Sequence, residues 1–152
     1  RYRGLFVLKA FTKMYAIPGI RLGYGITSDK ELIDKMYDAG QPWNVSVLAQ
    51  NAGIAALDED NFAADTVSLI SKEREFICTN FQRMNIKYWE SGANYIFFMH
   101  KKGLKEELLN RGILIRDCSN YKNLTDGYYR IAIKSHKDNV KLIDALADID
   151  II

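Results

Sequence analysis

Across residues 62–84, Val67, Ile70, Ile77, Phe81 and Met84 recur at close to 3.6-residue spacing, which predicts one long helix with a single apolar side. No other segment restricts the fold as strongly. On both sides of it, short apolar runs alternate with shorter helical patterns. Residues 5–8 are continuously apolar and predict a short strand covered on both faces, and residues 22–26 a second strand. Ser28 with Glu31 forms a capping box ahead of Leu32, Ile33, Met36 and Tyr37, and Gly40 closes that helix. Ser46 opens another helix running to residue 57. Its residues Val47, Leu48, Ala52, Ile54 and Ala55 leave almost no polar face, which predicts burial between layers or subunits.

Beyond the long helix, residues 86–89, 95–99, 113–116 and 128–134 read as strands. Residues 104–111 read as a helix stopped by Gly112. A last helix is capped by Ser135 and carries Val140, Ile143, Leu146 and Ala147 on its apolar side. Lys72, Glu73, Arg74 and Glu75 form a polar stretch expected to face solvent or another domain. The expected class is therefore α/β passing into α+β, with residues 1–60 in one domain and residues 61–152 forming a linking helix and a small two-layer domain.

Composition narrows the chemistry. A net charge of +2, with lysines interleaved among carboxylates, points away from nucleic acid. No apolar run reaches the length of a membrane span. Cys78 and Cys118 are too few for a disulfide scaffold and fit a reducing compartment. His100 and His136 have no cysteine or carboxylate at metal-ligand spacing, so no metal site is expected. Phosphate-binding glycine loops and the Gly-x-Ser-x-Gly motif are absent.

The chemistry-bearing string is Phe11-Thr12-Lys13-Met14-Tyr15-Ala16-Ile17-Pro18-Gly19-Ile20-Arg21-Leu22-Gly23-Tyr24. Lys13 offers an amine that can bond a carbonyl carbon. The Pro-Gly turn can fold Arg21 back toward it, where a guanidinium can grip a phosphate with two parallel hydrogen bonds and Thr12 can add a third. Taken by themselves, a surface lysine and a solvated arginine flanking a loop fit the same letters. Arg130 stands among apolar residues in Tyr128-Tyr129-Arg130-Ile131-Ala132 and needs an anion, supplied either by the protein or by a ligand. Arg116, followed by Asp117-Cys118-Ser119-Asn120-Tyr121, reads equally well as an anion ligand or an ordinary strand-end arginine. Gln41-Pro42-Trp43-Asn44-Val45-Ser46 describes a loop and helix cap. Tyr15 and Tyr24 suit either a core or a pocket.

These strings resemble the fold-type-I pyridoxal-phosphate-dependent aminotransferase family, whose signature places Ser-x-Thr-Lys ahead of Pro-Gly-x-Arg-x-Gly. Ala10 stands where many members have the serine, and Lys9 beside it is a candidate substitute. The resemblance covers essentially all of the chain. It implies a remnant of the large cofactor-binding domain followed by the small C-terminal domain, with pyridoxal 5'-phosphate as cofactor. Lys13 is then the amine that holds the cofactor aldehyde, and Thr12 and Arg21 bind its phosphate. Arg130 takes the substrate α-carboxylate, Arg116 helps hold the substrate's anionic groups, and Asn44 with Trp43 lies at the active-site entrance near a subunit interface.

The string from Arg116 to Tyr121 looks like the L-threonine-O-3-phosphate decarboxylase branch, which serves cobalamin biosynthesis; histidinol-phosphate aminotransferases share most of the pattern. Either branch implies a small phosphorylated amino-acid-like substrate, a homodimer and a cytoplasmic location, with neither nucleic acid nor membrane as partner. Arg1-Tyr2-Arg3-Gly4 reads as mid-chain sequence. Family residues for the pyridine nitrogen, cofactor oxygen and ring stacking lie upstream of the lysine, so the expectation is a C-terminal portion that is inactive alone. A non-catalytic remnant that binds a phosphorylated ligand or a protein is the competing reading.

Overall fold

The computed structural model describes residue 2 and residues 4–150; Arg1 and Arg3 of the opening string lie outside the described residues. The chain is mixed α/β and divides into two compact units between Thr66 and Val67.

In the first unit, β1 (Phe6–Ala10) pairs antiparallel with β2 (Gly23–Thr27), in register from Phe6 opposite Thr27 to Ala10 opposite Gly23. Between them run a four-residue helix α1 (Phe11–Met14) and a 3-10 turn (Pro18–Ile20). The expectation that the first strand is covered on both faces does not hold, because the sheet has two strands and β1 is mostly exposed. Helix α2 (Lys30–Ala39) is capped by Asp29, whose carboxylate accepts the Leu32 N–H at 3.0 Å, so the Ser28/Glu31 box is not the cap. Thr27 Oγ1 accepts the Asp29 N–H at 3.2 Å, which orients Asp29 one residue later than the sequence pattern placed the cap. Gly40 ends α2 in extended geometry rather than the left-handed form.

Helix α3 (Val47–Leu57) starts where expected, with Ser46 Oγ accepting the Ala49 N–H at 3.2 Å. Only Ala49 and Gly53 are buried in it. Val47, Leu48 and Ile54 are 70%, 79% and 60% exposed, so the predicted burial of this helix is not met within the chain. What the unit does bury gathers around Phe11, whose ring lies 5.1 Å from Tyr15 and 5.7 Å from Tyr24, with Tyr15 stacked on Phe62. Gly53 admits this packing, because a Cβ there would stand 2.4 Å from a Leu22 methyl.

Helix α4 (Phe62–Arg83) carries the periodic pattern, and its residues from Val67 onward belong to the second unit. There, β3 (Tyr88–Trp89), β4 (Tyr95–Met99), β5 (Arg116–Asp117) and β6 (Tyr128–Ala132) form an antiparallel sheet in the order β3-β4-β6-β5. Alternation decides its faces. Ile96 and Phe98 of β4 and Tyr129 and Ile131 of β6 join Ile77 and Phe81 of α4, Leu104 and Leu108 of α5 (Leu104–Asn110), and Leu142, Leu146 and Ile149 of α6 (His136–Asp150) in one closed core. Trp89, Phe97, Tyr128 and Arg130 stand on the opposite face.

Three strand expectations shorten. Residues 113–115 do not join the ladder, so Arg116 opens β5 instead of ending a strand. Ile86 lies in the core ahead of β3. Strand β6 stops at Ala132, because Ile133 N–H bonds the Asn94 carbonyl and Lys134 is engaged by a side chain. The polar stretch on α4 is also corrected: Glu73 is only 2% exposed, and His136, expected to stand alone, reaches its carboxylate at 3.1 Å. Cys78 and Cys118 are free thiols. No described helix is long and apolar enough to cross a membrane.

Candidate functional site

The lysine string forms a closed loop. Phe11 N–H donates to the Leu22 carbonyl at 3.2 Å, continuing the β1/β2 ladder by one bond and joining the two ends of the segment that carries Thr12, Lys13 and Arg21. Lys13 sits in the last turn of α1 with an exposed side chain, and Ala16 N–H donates back to its carbonyl at 3.3 Å. Ala10 is the N-cap of α1 and makes no side-chain capping bond. Arg21 follows the 3-10 turn in the left-handed region at φ 54°, its guanidinium donating to the Pro18 carbonyl at 3.3 Å. Among the described residues, neither Lys13 nor Arg21 has a carboxylate within ion-pair distance.

Backbone strain concentrates in the same segments. Left-handed geometry costs a non-glycine residue on the order of 1–2 kcal/mol. Among the described residues, Ala16, Arg21 and Trp43 adopt it within the lysine loop and the Gln41–Ser46 string, at φ 52°, 54° and 60°. Strain of this kind persists where surrounding structure or function holds it. An amine, a guanidinium with unused N–H groups and a hydroxyl, all in one closed loop and without a carboxylate partner among the described residues, form a donor set that fits an aldehyde bearing a phosphate.

Asn44 lies in the first unit, lining a cavity of about 740 Å³ between the glycine-bearing face of β2 and the C-terminal part of α2, together with Phe6, Tyr37, Pro42 and Trp43. Gly25 opens that cavity, since a Cβ at this position would overlap the Phe6 ring at 2.2 Å. Trp43 is fully exposed.

In the second unit, Arg116 of β5 and Arg130 of β6 are direct cross-strand partners, with Phe97 of β4 on the other side of Arg130 in the same row. Like charges directly opposite each other on a sheet repel. No carboxylate among the described residues pairs with either guanidinium. Arg116 instead donates to Asn120 Oδ1 at 3.3 Å and lies over the Tyr121 ring, and Arg130 lies 4.7 Å over the Tyr95 ring. The protein-carboxylate alternative for Arg130 is thus not taken up among the described residues.

Arg130 lines a cavity of about 470 Å³ with Trp89, Glu90, Tyr95, Phe97, Cys118 and Tyr121. The Cys118 thiol is pushed up by burial, with Arg130 and Arg116 opposing that shift, so this wall is an uncharged thiol. Sequence reasoning missed Trp89, Glu90 and Cys118 as cavity residues. Strand β4 reads Tyr-Ile-Phe-Phe-Met, apolar on both faces, so no polar alternation marks its outer side.

The chain belongs to the fold-type-I, pyridoxal-phosphate-dependent aminotransferases, matching Aminotransferase class I and II over residues 1–146. It is 36% identical over 149 residues to threonine-phosphate decarboxylase from Salmonella typhimurium, covering 95% of this chain and 41% of that protein. It is 31% identical over 156 residues to histidinol-phosphate aminotransferase from Methanosphaera stadtmanae, covering 98% of this chain and 42% of that protein. The crystal structure of histidinol-phosphate aminotransferase from Clostridium acetobutylicum superposes with a TM-score of 0.90 at 35% identity, over 98% of this chain and 46% of that one. The chain therefore spans less than half the length of these relatives.

Proposed function

We propose that the whole protein is a pyridoxal 5'-phosphate enzyme acting on a small phosphorylated amino-acid-like substrate, and that its reaction is decarboxylation of L-threonine O-3-phosphate. The observation that carries the reading is the cross-strand pair Arg116/Arg130, without a described protein counter-anion, facing outward from the sheet beside a cavity. In this reading residues 1–60 derive from the large cofactor-binding domain, and residues 61–152 are the linking helix with the small domain.

Lys13 would hold the cofactor aldehyde, and Thr12 and Arg21 would hold its phosphate. When bound, the cofactor supplies an electron sink for the pair released when a bond at the substrate Cα breaks. Arg130 grips the substrate carboxylate and Arg116 its phosphate, two charge-assisted contacts that fix which Cα bond is oriented for cleavage. Asn44 offers the substrate a further hydrogen bond. The Lys13 amine, no longer bonded to the aldehyde once substrate is in place, would carry the proton that returns to Cα. A homodimer belongs to the same reading, since α3 exposes apolar side chains of the kind subunit interfaces cover.

Histidinol-phosphate transamination is the second reading, favoured by the Clostridium acetobutylicum superposition. The experiment supplies the whole protein with pyridoxal phosphate and threonine phosphate and measures CO2, then supplies histidinol phosphate with 2-oxoglutarate and measures glutamate. CO2 without glutamate supports the decarboxylase; glutamate alone replaces it with the aminotransferase. Lys13→Ala removes the absorbance of the bound cofactor. A wild-type protein that takes up no chromophore leaves only the non-catalytic remnant.

A further inference from the structure

Strand β6 carries Arg130 and leads within a few residues into α6, so the course of the chain at this exit sets where the outward side chains of β6 stand. One side chain holds that exit. Asn139 Oδ1 accepts the Lys134 N–H at 3.1 Å, and Asn139 Nδ2 donates to the Lys134 carbonyl at 3.0 Å, so the amide acts as a strand partner just beyond the ladder. The same Nδ2 donates to Glu73 Oε2 of α4 at 2.8 Å. Asn139 and Glu73 are each 2% exposed. The His136 Nδ1 atom stands 3.1 Å from both carboxylate oxygens, and its ring lies edge-on to Phe76.

The next residue of α4 bonds a wall of the Arg130 cavity directly. Arg74 donates to the Ala93 carbonyl at 2.8 Å, in the turn that leads into β4 and lines the cavity with Arg130. Ile133 N–H then bonds the Asn94 carbonyl at 3.0 Å and ties that turn to the exit of β6. A carboxylate withdrawn from water costs several kcal/mol unless its partners are well placed. Its hydrogen bonds are directional where an apolar contact would not be.

We propose that Glu73 is a positioning residue for Arg130: through Asn139 it fixes the exit of β6, and with it the guanidinium that meets the carboxylate of a phosphorylated, carboxylate-bearing ligand. This rests on the reading of Arg130 as an anion-binding residue. The role of Glu73 is to orient the Asn139 amide so that both of its edges meet the Lys134 backbone. Gln at position 73 keeps an acceptor oxygen for Asn139, whereas Ala keeps none.

The test uses the whole protein and 3-phosphoglycerate, which carries a carboxylate and a phosphate but no amine and so binds without reacting. Calorimetric titration is run on wild type and on Glu73→Gln, Asn139→Leu and Arg130→Ala, with hydrogen exchange followed at Lys134. Asn139→Leu, and Glu73→Ala titrated beside it, are each expected to weaken binding about tenfold and Glu73→Gln no more than about twofold, because small misplacements of a binding group are costly. Exchange at Lys134 in Asn139→Leu is expected to accelerate by more than about tenfold while core amides of β4 keep their protection. Should Asn139→Leu fail to fold, Glu73→Ala is read in the same way. If Arg130→Ala loses the probe and either Glu73→Ala or Asn139→Leu binds it as wild type does, the positioning role of Glu73 is overturned while the Arg130 reading stands. If Arg130→Ala binds as wild type does, the Arg130 reading is overturned and the positioning role with it.

Discussion

The two units hold their apolar residues differently. In the second, α4, α5 and α6 close over one face of a four-stranded sheet, and Ile77, Phe81, Ile96, Phe98, Leu104, Leu108 and Leu146 are fully buried. In the first, a two-stranded sheet and three helices bury little more than Phe11, Ala49 and Gly53, while Leu8, Val47, Leu48 and Ile54 remain in water. Both units have well-formed caps and ladders, so the difference does not lie in local structure. It lies in the number of layers. A sheet with helices packed across it can enclose side chains from three directions, whereas a hairpin-like pair of strands beside an apolar helix cannot. The lysine loop is therefore built on the unit whose stability draws less on its own core, and the arginine pair on the unit that is self-contained.

Deleting a core ring tests this contrast most severely. Phe81→Ala in the second unit is expected to cost about 3–5 kcal/mol in denaturant unfolding, whereas Leu8→Ala on the exposed β1 should stay within about 0.5 kcal/mol. Equal losses would mean that the first unit has a core of its own.

Gly127→Ala sharpens the same point through the backbone. Gly127 has φ 92°, and a Cβ there would stand 2.8 Å from the His100 carbonyl oxygen, so strain of about 1–3 kcal/mol is expected. By contrast, the clash at Gly53 is with the tip of a Leu22 side chain that can turn away, and Gly53→Ala should cost less. Thermal melts of the two variants check the order.

Acid adds a third comparison. The hydrogen bond from Asn139 holds the Glu73 carboxyl below the usual glutamate range, burial works against it, and His136 contributes in the same direction as Asn139. A folded-state value below the unfolded one stabilises the fold above the unfolded value, and that stability is lost as the pH falls through the folded one. The second unit should therefore lose stability on acidification below the ordinary glutamate range. Glu73→Gln should flatten that part of the curve, as read by urea unfolding across pH.

Smaller still is the cap. Ser46→Ala removes the bond to the Ala49 N–H and is expected to cost about 1 kcal/mol. Smallest of all, Leu48→Ser on α3 should change unfolding by less than about 0.5 kcal/mol while reducing any self-association measured by sedimentation. A large unfolding loss at Leu48 would show that α3 is covered in solution.

Much of the element order was legible, and the reasons are local. The long helix shows its period over 22 residues, Ser46 sits directly before an apolar run, and β4 was bounded to the residue. The errors fall where a neighbour in space competes. Asp29 displaced Ser28 because Thr27 binds the Asp29 amide. Arg116 moved from strand end to strand start because residues 113–115 find no partner along β6. Glu73 looked like one charge among four on a helical stretch facing solvent or another domain, and Asn139 and His136, arriving from the far end of the chain, engage it instead.

By itself, the order of residues determined the helix and strand periods, the Ser46 cap and the lysine string with its Pro-Gly turn, because each depends on atoms a few residues apart. Tertiary structure alone decided that Arg116 and Arg130 stand opposite each other, that Glu73 is withdrawn from water and that α3 is left uncovered within the chain. Register and burial depend on which distant surfaces meet, and no local pattern encodes that.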